Sequence, residues 1–371
     1  MDHEVACAAM ERAASGECGA NLDVAQGLVR PLIFRPAACA RKFIELKGYS
    51  LKSSAIRRIE NSEYAADFLI QNDGPLVVVF DNMFTAAPFE ERRCWGFPYW
   101  ANKGFNVVGL LESDRQAWYR RSSFLEILEA AKKELRGLSF SRRVGYGGSM
   151  GGYAAGAFAA ELDCDTCLLL NPISTLHPDL VPFEPRFREA AQQDWSGSYS
   201  DAAEQAGRFE SLYIVADPLF HFDAAHVKRF CSNHPSPRFY RVPGVGHKVA
   251  EHMHHLGVLK WFVDDVVGGE VPDSAMFYKM VRERKSYLRY YEWMLSAQNT
   301  HLSERAIQVL TQNLALVLAT GEMGKYEAMK TFALATGRHL PEINLRLGEA
   351  VLEKHPKLPR LREMMRELQD H

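Results

Sequence analysis

Between residues 50 and 270 the chain alternates short apolar runs with stretches of helical spacing. The run at 76–80 is continuously apolar, as expected of a strand buried on both faces of a parallel sheet. Residues 105–111, 143–146, 167–171, 212–216 and 239–242 continue the series of strands. Helical stretches at 124–135, 153–161, 223–230 and 249–267 separate or follow them. Segments 54–60 and 64–70, split by Asn61-Ser62-Glu63, predict a hairpin ahead of this series. Together these elements predict an α/β architecture: a mostly parallel central sheet with helices on both faces. Gly268-Gly269 and Pro272-Asp273 mark a boundary. Beyond it, residues 274–297, 303–320, 325–336, 341–354 and 357–369 all carry helical spacing. The expected organisation is an N-terminal helical segment (1–47), an α/β domain (48–270) with a short lid-like insertion (172–209), and a C-terminal all-helical extension (271–371).

One strand-to-helix junction carries candidate chemistry. Gly147-Gly148-Ser149-Met150-Gly151 fits G-x-S-x-G, the nucleophile elbow, in which a strand turns within one or two residues into a helix. Glycines flank the serine because a Cβ there would collide as strand and helix close together, and the turn strains the serine at its tip. Ser149 then stands at a helix N-terminus, where free backbone N–H groups favour developing negative charge. The Met150 N–H, next after the serine, is the first expected oxyanion donor. The second belongs to the loop after the 76–80 strand, where Phe80-Asp81-Asn82-Met83-Phe84 lacks the usual glycine. Met83 is the first candidate there, and Asn82 its alternative.

A serine nucleophile needs a base and an orienting acid, and strand ends supply candidates for both. Asp217 follows the 212–216 strand, at the sheet end where functional groups gather in parallel α/β folds. Asp223 is the alternative acid, although its position also suits a helix N-cap. His247 closes Val242-Pro243-Gly244-Val245-Gly246-His247, a glycine-rich loop after the last strand. The order Ser149, Asp217 (or Asp223), His247 is the order this arrangement takes in α/β-hydrolases.

Composition narrows the field. The chain has 371 residues, with 44 Lys and Arg against 46 Asp and Glu, so no global charge argues for nucleic acid or an anionic membrane. No apolar run reaches the roughly 18 residues of a membrane span. The acidic opening Met1-Asp2-His3-Glu4 and seven scattered cysteines lead to the expectation of a cytoplasmic chain with reduced thiols. Cys164-Asp165-Thr166-Cys167 has no second pair, and His252, His254 and His255 lack a metal-ligand spacing, so no metal is expected. Arg92, Arg93, Arg115, Arg120 and Arg121 fall near the expected mouth, as anion-recognising side chains or as solvated faces.

Through Gly147-Gly148-Ser149-Met150-Gly151, the strand-end Asp217 and the His247 loop, residues of about 50–268 resemble the serine hydrolases of the α/β-hydrolase superfamily. Tyr146 to Tyr153, Ala216-Asp217-Pro218 and Trp118-Tyr119 are similar, more weakly, to bacterial hydrolases linked to polysaccharide or glycoprotein loci. The resemblance implies attack on a small-molecule acyl substrate, an ester or thioester, through an acyl-enzyme and without a cofactor. Two alternatives stay open: acyl transfer by the same residues, and a non-catalytic interaction protein on a hydrolase scaffold. Aromatic and basic residues of the 274–297 stretch suit either a protein or carbohydrate partner, or docking on the core.

Overall fold

The computed structural model describes residues 56–83, 88–286 and 356–369, with isolated positions between 290 and 353. The expected 1–47 segment, and most of the helical stretches between 287 and 355, lie outside the described residues.

The described residues open with a hairpin of β1 (Arg57–Glu60) and β2 (Tyr64–Leu69). Asn61 closes its turn, the side-chain oxygen accepting from Glu63 N–H (3.0 Å) and Tyr64 N–H (2.8 Å). Next come β3 (Leu76–Phe80), α1 (Phe97–Asn102), β4 (Asn106–Glu112) and α2 (Ser123–Leu135). The elbow joins β5 (Arg143–Gly148) to α3 (Met150–Phe158), and β6 (Thr166–Leu170) follows. The remainder of the α/β unit is β7 (Ser211–Ala216), α4 (His221–Ser232), β8 (Arg238–Arg241), α5 (Val249–His255) and α6 (Val258–Gly268). Beyond it stand α7 (Ser274–Arg282) and α8 (Pro359–Gln369).

The strands form one eight-stranded sheet in the order β1-β2-β4-β3-β5-β6-β7-β8. β2 runs antiparallel to both neighbours, and from β4 to β8 all pairs are parallel. With the strand–serine–helix elbow after β5, this is the α/β-hydrolase fold. Strand periodicity divides the core into two layers. Leu76, Val78 and Phe80 face the cluster that holds α2, α3 and α4, whereas Val77 and Val79 face the cluster that holds α1, α5, α6 and α7. Covered on both faces, the inner strands β3, β6 and β7 have no polar side to show, hence their apolar runs.

Two local expectations are corrected. The single helix expected over 249–267 breaks at Gly257, whose φ of 70° is left-handed and starts α6 afresh. Asp223 is not an N-cap: α4 begins two residues earlier, at His221 behind Phe220, which leaves the Asp223 carboxylate free for another contact. After the boundary, α7 packs into the same core layer as β8 and α6. Phe277 is buried against Tyr240 and Phe262, with ring centroids 5.0 and 5.3 Å away, and Tyr240 Oη donates to Pro272 O at 2.7 Å.

Candidate active site

The site is built from the elbow outward. Ser149 adopts φ 55°, ψ −116°, a region that costs a non-glycine residue on the order of 1–3 kcal/mol and persists only where its surroundings impose it. Here the backbone imposes it, with Ser149 N–H donating to Leu170 O (3.0 Å) and Ser149 O accepting from Tyr153 N–H (3.0 Å). The flanking glycines are steric requirements. A Cβ on Gly147 would lie 2.0 Å from Gly151 O, and one on Gly151 would lie 2.5 Å from Phe80 O. The close approach of Gly151 to Phe80 O and Asp81 O sets the end of β3 against α3. Met150 is the first residue of α3, where intrahelical geometry offers its N–H no acceptor.

Ser149 Oγ lies 2.7 Å from His247 Nε2. His247 Nδ1 lies 2.7 Å from Asp223 Oδ2 and 2.9 Å from Oδ1. A carboxylate only accepts, so Nδ1 carries the proton and Nε2 is left to accept from the serine hydroxyl. Asn171, just past β6, adds a contact: its Nδ2 is 3.3 Å from Nδ1 and 3.2 Å from Nε2. Near-equal distances to both nitrogens put the amide over the imidazole face and not in the ring plane.

Asp217, the first candidate for the acid, does not reach the histidine; Asp223 does. Asp217 is buried, and its carboxylate is consumed by main chain. Oδ2 accepts from Val245 and Gly246 N–H, both at 2.7 Å, and Oδ1 accepts from Leu219 N–H at 2.8 Å. Burial pushes its carboxyl pKa up, against the pull of those N–H groups. It therefore holds the loop that delivers His247, where Gly244 and Gly246 take positive φ. Asp223, on the first turn of α4 and fully buried, meets the ring itself.

Three arginines expected near the mouth are occupied by the chain's own acceptors. Arg92 is buried, 3.2 Å from Asp81 Oδ2, and it donates to Glu112 O. Arg121 pairs with Glu63 (2.6 Å) and Asp114. Arg120 donates to Asp194 O (2.9 Å), Ser196 O (2.6 Å) and Tyr153 Oη (3.2 Å), tying the 172–209 segment to the elbow helix. That segment lays Phe187 and Trp195 against Trp118 (4.9 and 6.1 Å), and Phe187 reaches within 6.3 Å of the His247 ring. Trp118 and Tyr119 have left-handed φ, held by Glu112, which accepts from both backbone N–H groups and whose pKa burial pushes up to about 8.

Asn171, Glu112, Glu184 and Arg186 all touch this assembly and were not singled out from the sequence. Asn171 and Glu112 had a usable signal there, as polar residues at the C-terminal ends of buried strands. Cys164 and Cys167 are buried thiols with pKa values pushed up by burial, and burial pulls His252 down to about 3. Among the described residues no group of three or more His, Cys, Asp or Glu could hold a metal ion, and no helix is long and apolar enough to cross a membrane.

No protein-family model and no curated protein matches the chain. Solved structures similar to it include an acetyl xylan esterase from Paenibacillus sp. R4, at 14% identity and TM-score 0.44, covering 61% of this chain and 87% of that one. Brefeldin A esterase, a bacterial homologue of human hormone-sensitive lipase, is 17% identical at TM-score 0.39, covering 76% and 86%. The capsule O-acetyltransferase of Neisseria meningitidis serogroup A is 11% identical at TM-score 0.43, covering 60% and 97%.

Proposed function

We propose that this chain is a serine hydrolase that cleaves a carboxylic ester or thioester through an acyl-enzyme. Ser149 is the nucleophile, His247 the general base and acid, and Asp223 the orienting carboxylate. One observation carries the reading: a strained serine elbow with Oγ 2.7 Å from His247 Nε2, whose Nδ1 is 2.7 Å from a buried carboxylate. Such a serine is activated without any rearrangement.

In the proposed reaction Ser149 Oγ bonds to the acyl carbon as its proton passes to His247 Nε2. The carbonyl oxygen becomes an oxyanion facing the Met150 N–H, with a second donor from Met83 or Asn82. Collapse breaks the bond to the leaving alcohol or thiol, which takes the proton from Nε2. A water then repeats the sequence on the acyl-enzyme: His247 takes its proton, and the carboxylic acid leaves as Ser149 recovers its hydrogen.

The test is labelling with a fluorophosphonate probe, the modified residue being read by peptide mapping. Labelling at Ser149, abolished in Ser149→Ala and in His247→Ala, is the expected result. Folded wild-type protein that takes up no label overturns the proposal. An ester and thioester panel, run with and without a hydroxyl acceptor, then separates hydrolysis from acyl transfer.

A further inference from the structure

The acid side of His247 does not end at Asp223. Arg186, from the 172–209 segment, donates Nη1 to Asp223 Oδ1 at 2.9 Å. Its Nε spans both oxygens of Glu184 (2.8 and 3.0 Å), and Nη2 also donates to Glu184 Oε2. Glu184 Oε2 accepts in turn from His226 Nε2 at 3.1 Å. Ser174 N–H donates to His226 Nδ1 at 3.1 Å, so that nitrogen carries no proton and His226 is the neutral Nε2–H tautomer. Burial, which lowers its pKa, favours the same state. Glu184, which burial alone would raise, is held at about 2 by its bonds to Arg186 and His226. The Asp223 and Glu184 side chains are fully buried, and the guanidinium between them is walled by Phe220, Phe222 and Phe187, 5.0–5.2 Å from their ring centres.

We propose that Arg186, clamped by Glu184, is a positioning residue for the Ser149–His247–Asp223 triad: it locks the Asp223 carboxylate against His247 and sets the pH range in which His247 accepts the serine proton. The inference rests on that triad reading. The argument has a geometric part and an electrostatic part. A planar fork can bind one carboxylate through Nε and Nη2 while Nη1 reaches another, which a lysine cannot do. Asp223 is thereby fixed from a second direction, and its torsion no longer depends on the histidine alone. The guanidinium also sets its positive charge against the carboxylate that stabilises the imidazolium, so it limits how readily His247 takes a proton.

Among the described residues, the charged and titratable groups around His247 and its loop come from several elements, with Tyr290 packed at Gly244 of that loop. Asp223 and His226 come from α4, Arg186 and Glu184 from the 172–209 segment, and Asp217 from the end of β7, beneath the His247 loop. Lys248 is next in sequence and lies 3.8 Å from Glu251. His252, on the helix after the loop, is buried, and Asn171 over the ring is neutral. Of these, Arg186 is the one cation that touches the triad acid.

The experiment is the pH dependence of the rate constant for fluorophosphonate labelling of Ser149 in the intact chain, compared with Arg186→Gln, Arg186→Lys and Glu184→Gln. The pH at half-maximal rate does not depend on the fraction of protein folded, so a merely structural role leaves it unmoved. Arg186→Gln is expected to move the midpoint up by about one pH unit, because loss of a nearby cation favours the imidazolium. Glu184→Gln, which removes an anion, is expected to move it down. Arg186→Lys is expected to keep the wild-type midpoint with a lower plateau rate. In Arg186→Gln the plateau falls about ten- to a hundredfold, the range typical of the outer partners of a metal-bound histidine. Midpoints and plateaus that match wild type in all three variants overturn the proposal. If Arg186→Gln does not fold, the midpoint of Glu184→Gln and the plateau of Arg186→Lys decide the matter. Wild type that is not labelled at all overturns the triad reading itself, a result distinct from labelled wild type with unresponsive variants.

Discussion

The two sides of His247 are held by different physics. On the serine side, position comes from backbone sterics. α3 is buried along its whole length, glycines stand where any Cβ would strike a carbonyl, and Ser149 is pinned through its own N–H and C=O. On the acid side, position comes from charge. Asp223, Arg186, Glu184 and His226 fix one another through side-chain bonds across 37 and 42 residues of chain. A steric device has no titrating part and fails only by distorting the fold. An ionic device can be disarmed by one proton or one neutral substitution while the fold stands.

The largest expected effect follows from the two buried aspartates, six positions apart in sequence. Asp223→Asn should lower kcat/KM by about four orders of magnitude near neutral pH, because an amide lets the imidazole settle in the wrong tautomer. Asp217→Asn should leave folded enzyme within about tenfold of wild type, yet destabilise it by roughly 1–3 kcal/mol as backbone N–H groups lose a buried acceptor. Ester hydrolysis and urea unfolding of both variants test the pair. The reverse pattern, with Asp217→Asn inactive but stable, would return the acid's role to Asp217.

The serine side should answer in stability. Gly147→Ala places a methyl 2.0 Å from a backbone oxygen that has no room to retreat, and the expected loss is about 3 kcal/mol or more. Gly137→Ala is the control: φ is 79°, but nothing lies within 4 Å of the new Cβ, so only the left-handed backbone cost of about 1–2 kcal/mol applies. Equal losses in thermal or urea unfolding would mean that strand and helix yield to the methyl, and that collision does not make Gly147 necessary.

The same contrast explains what could be read along the chain. The elbow is local: strand, Gly147 to Gly151 and helix are contiguous, so the steric rule that governs them leaves its mark on five residues. His247 was legible for a similar reason, through the glycines of its loop. The acid was not. Asp217 and Asp223 both lie near the C-terminal end of β7, and choosing between them needs the loop geometry at Val245 and Gly246, whose N–H groups consume Asp217. Arg186 left no mark at all, since nothing near it in sequence says that its segment folds back over α4. The mostly parallel sheet was legible as a class, because strands buried on both faces are continuously apolar, whereas the order of its strands was not. The break of the last helix at Gly257 was missed because one glycine within helical spacing does not by itself end a helix.

The smallest expected effect is the sharpest control on the comparison. Arg120 ties the 172–209 segment to the elbow helix, and Arg186 ties it to Asp223. Arg120 grips it from outside, through Asp194 O, Ser196 O and Tyr153 Oη, and its guanidinium lies 5.4 Å from the Trp195 ring centre. It touches no member of the triad. Its half-exposed contacts make Arg120→Ala worth about 1 kcal/mol or less in unfolding experiments. The labelling midpoint of Arg120→Ala should coincide with wild type, because the variant loosens the segment without removing the cation beside Asp223. A midpoint that rises as far as in Arg186→Gln would show that the pH response follows the fit of the segment over the site, and the ionic account of the acid side would fall with it.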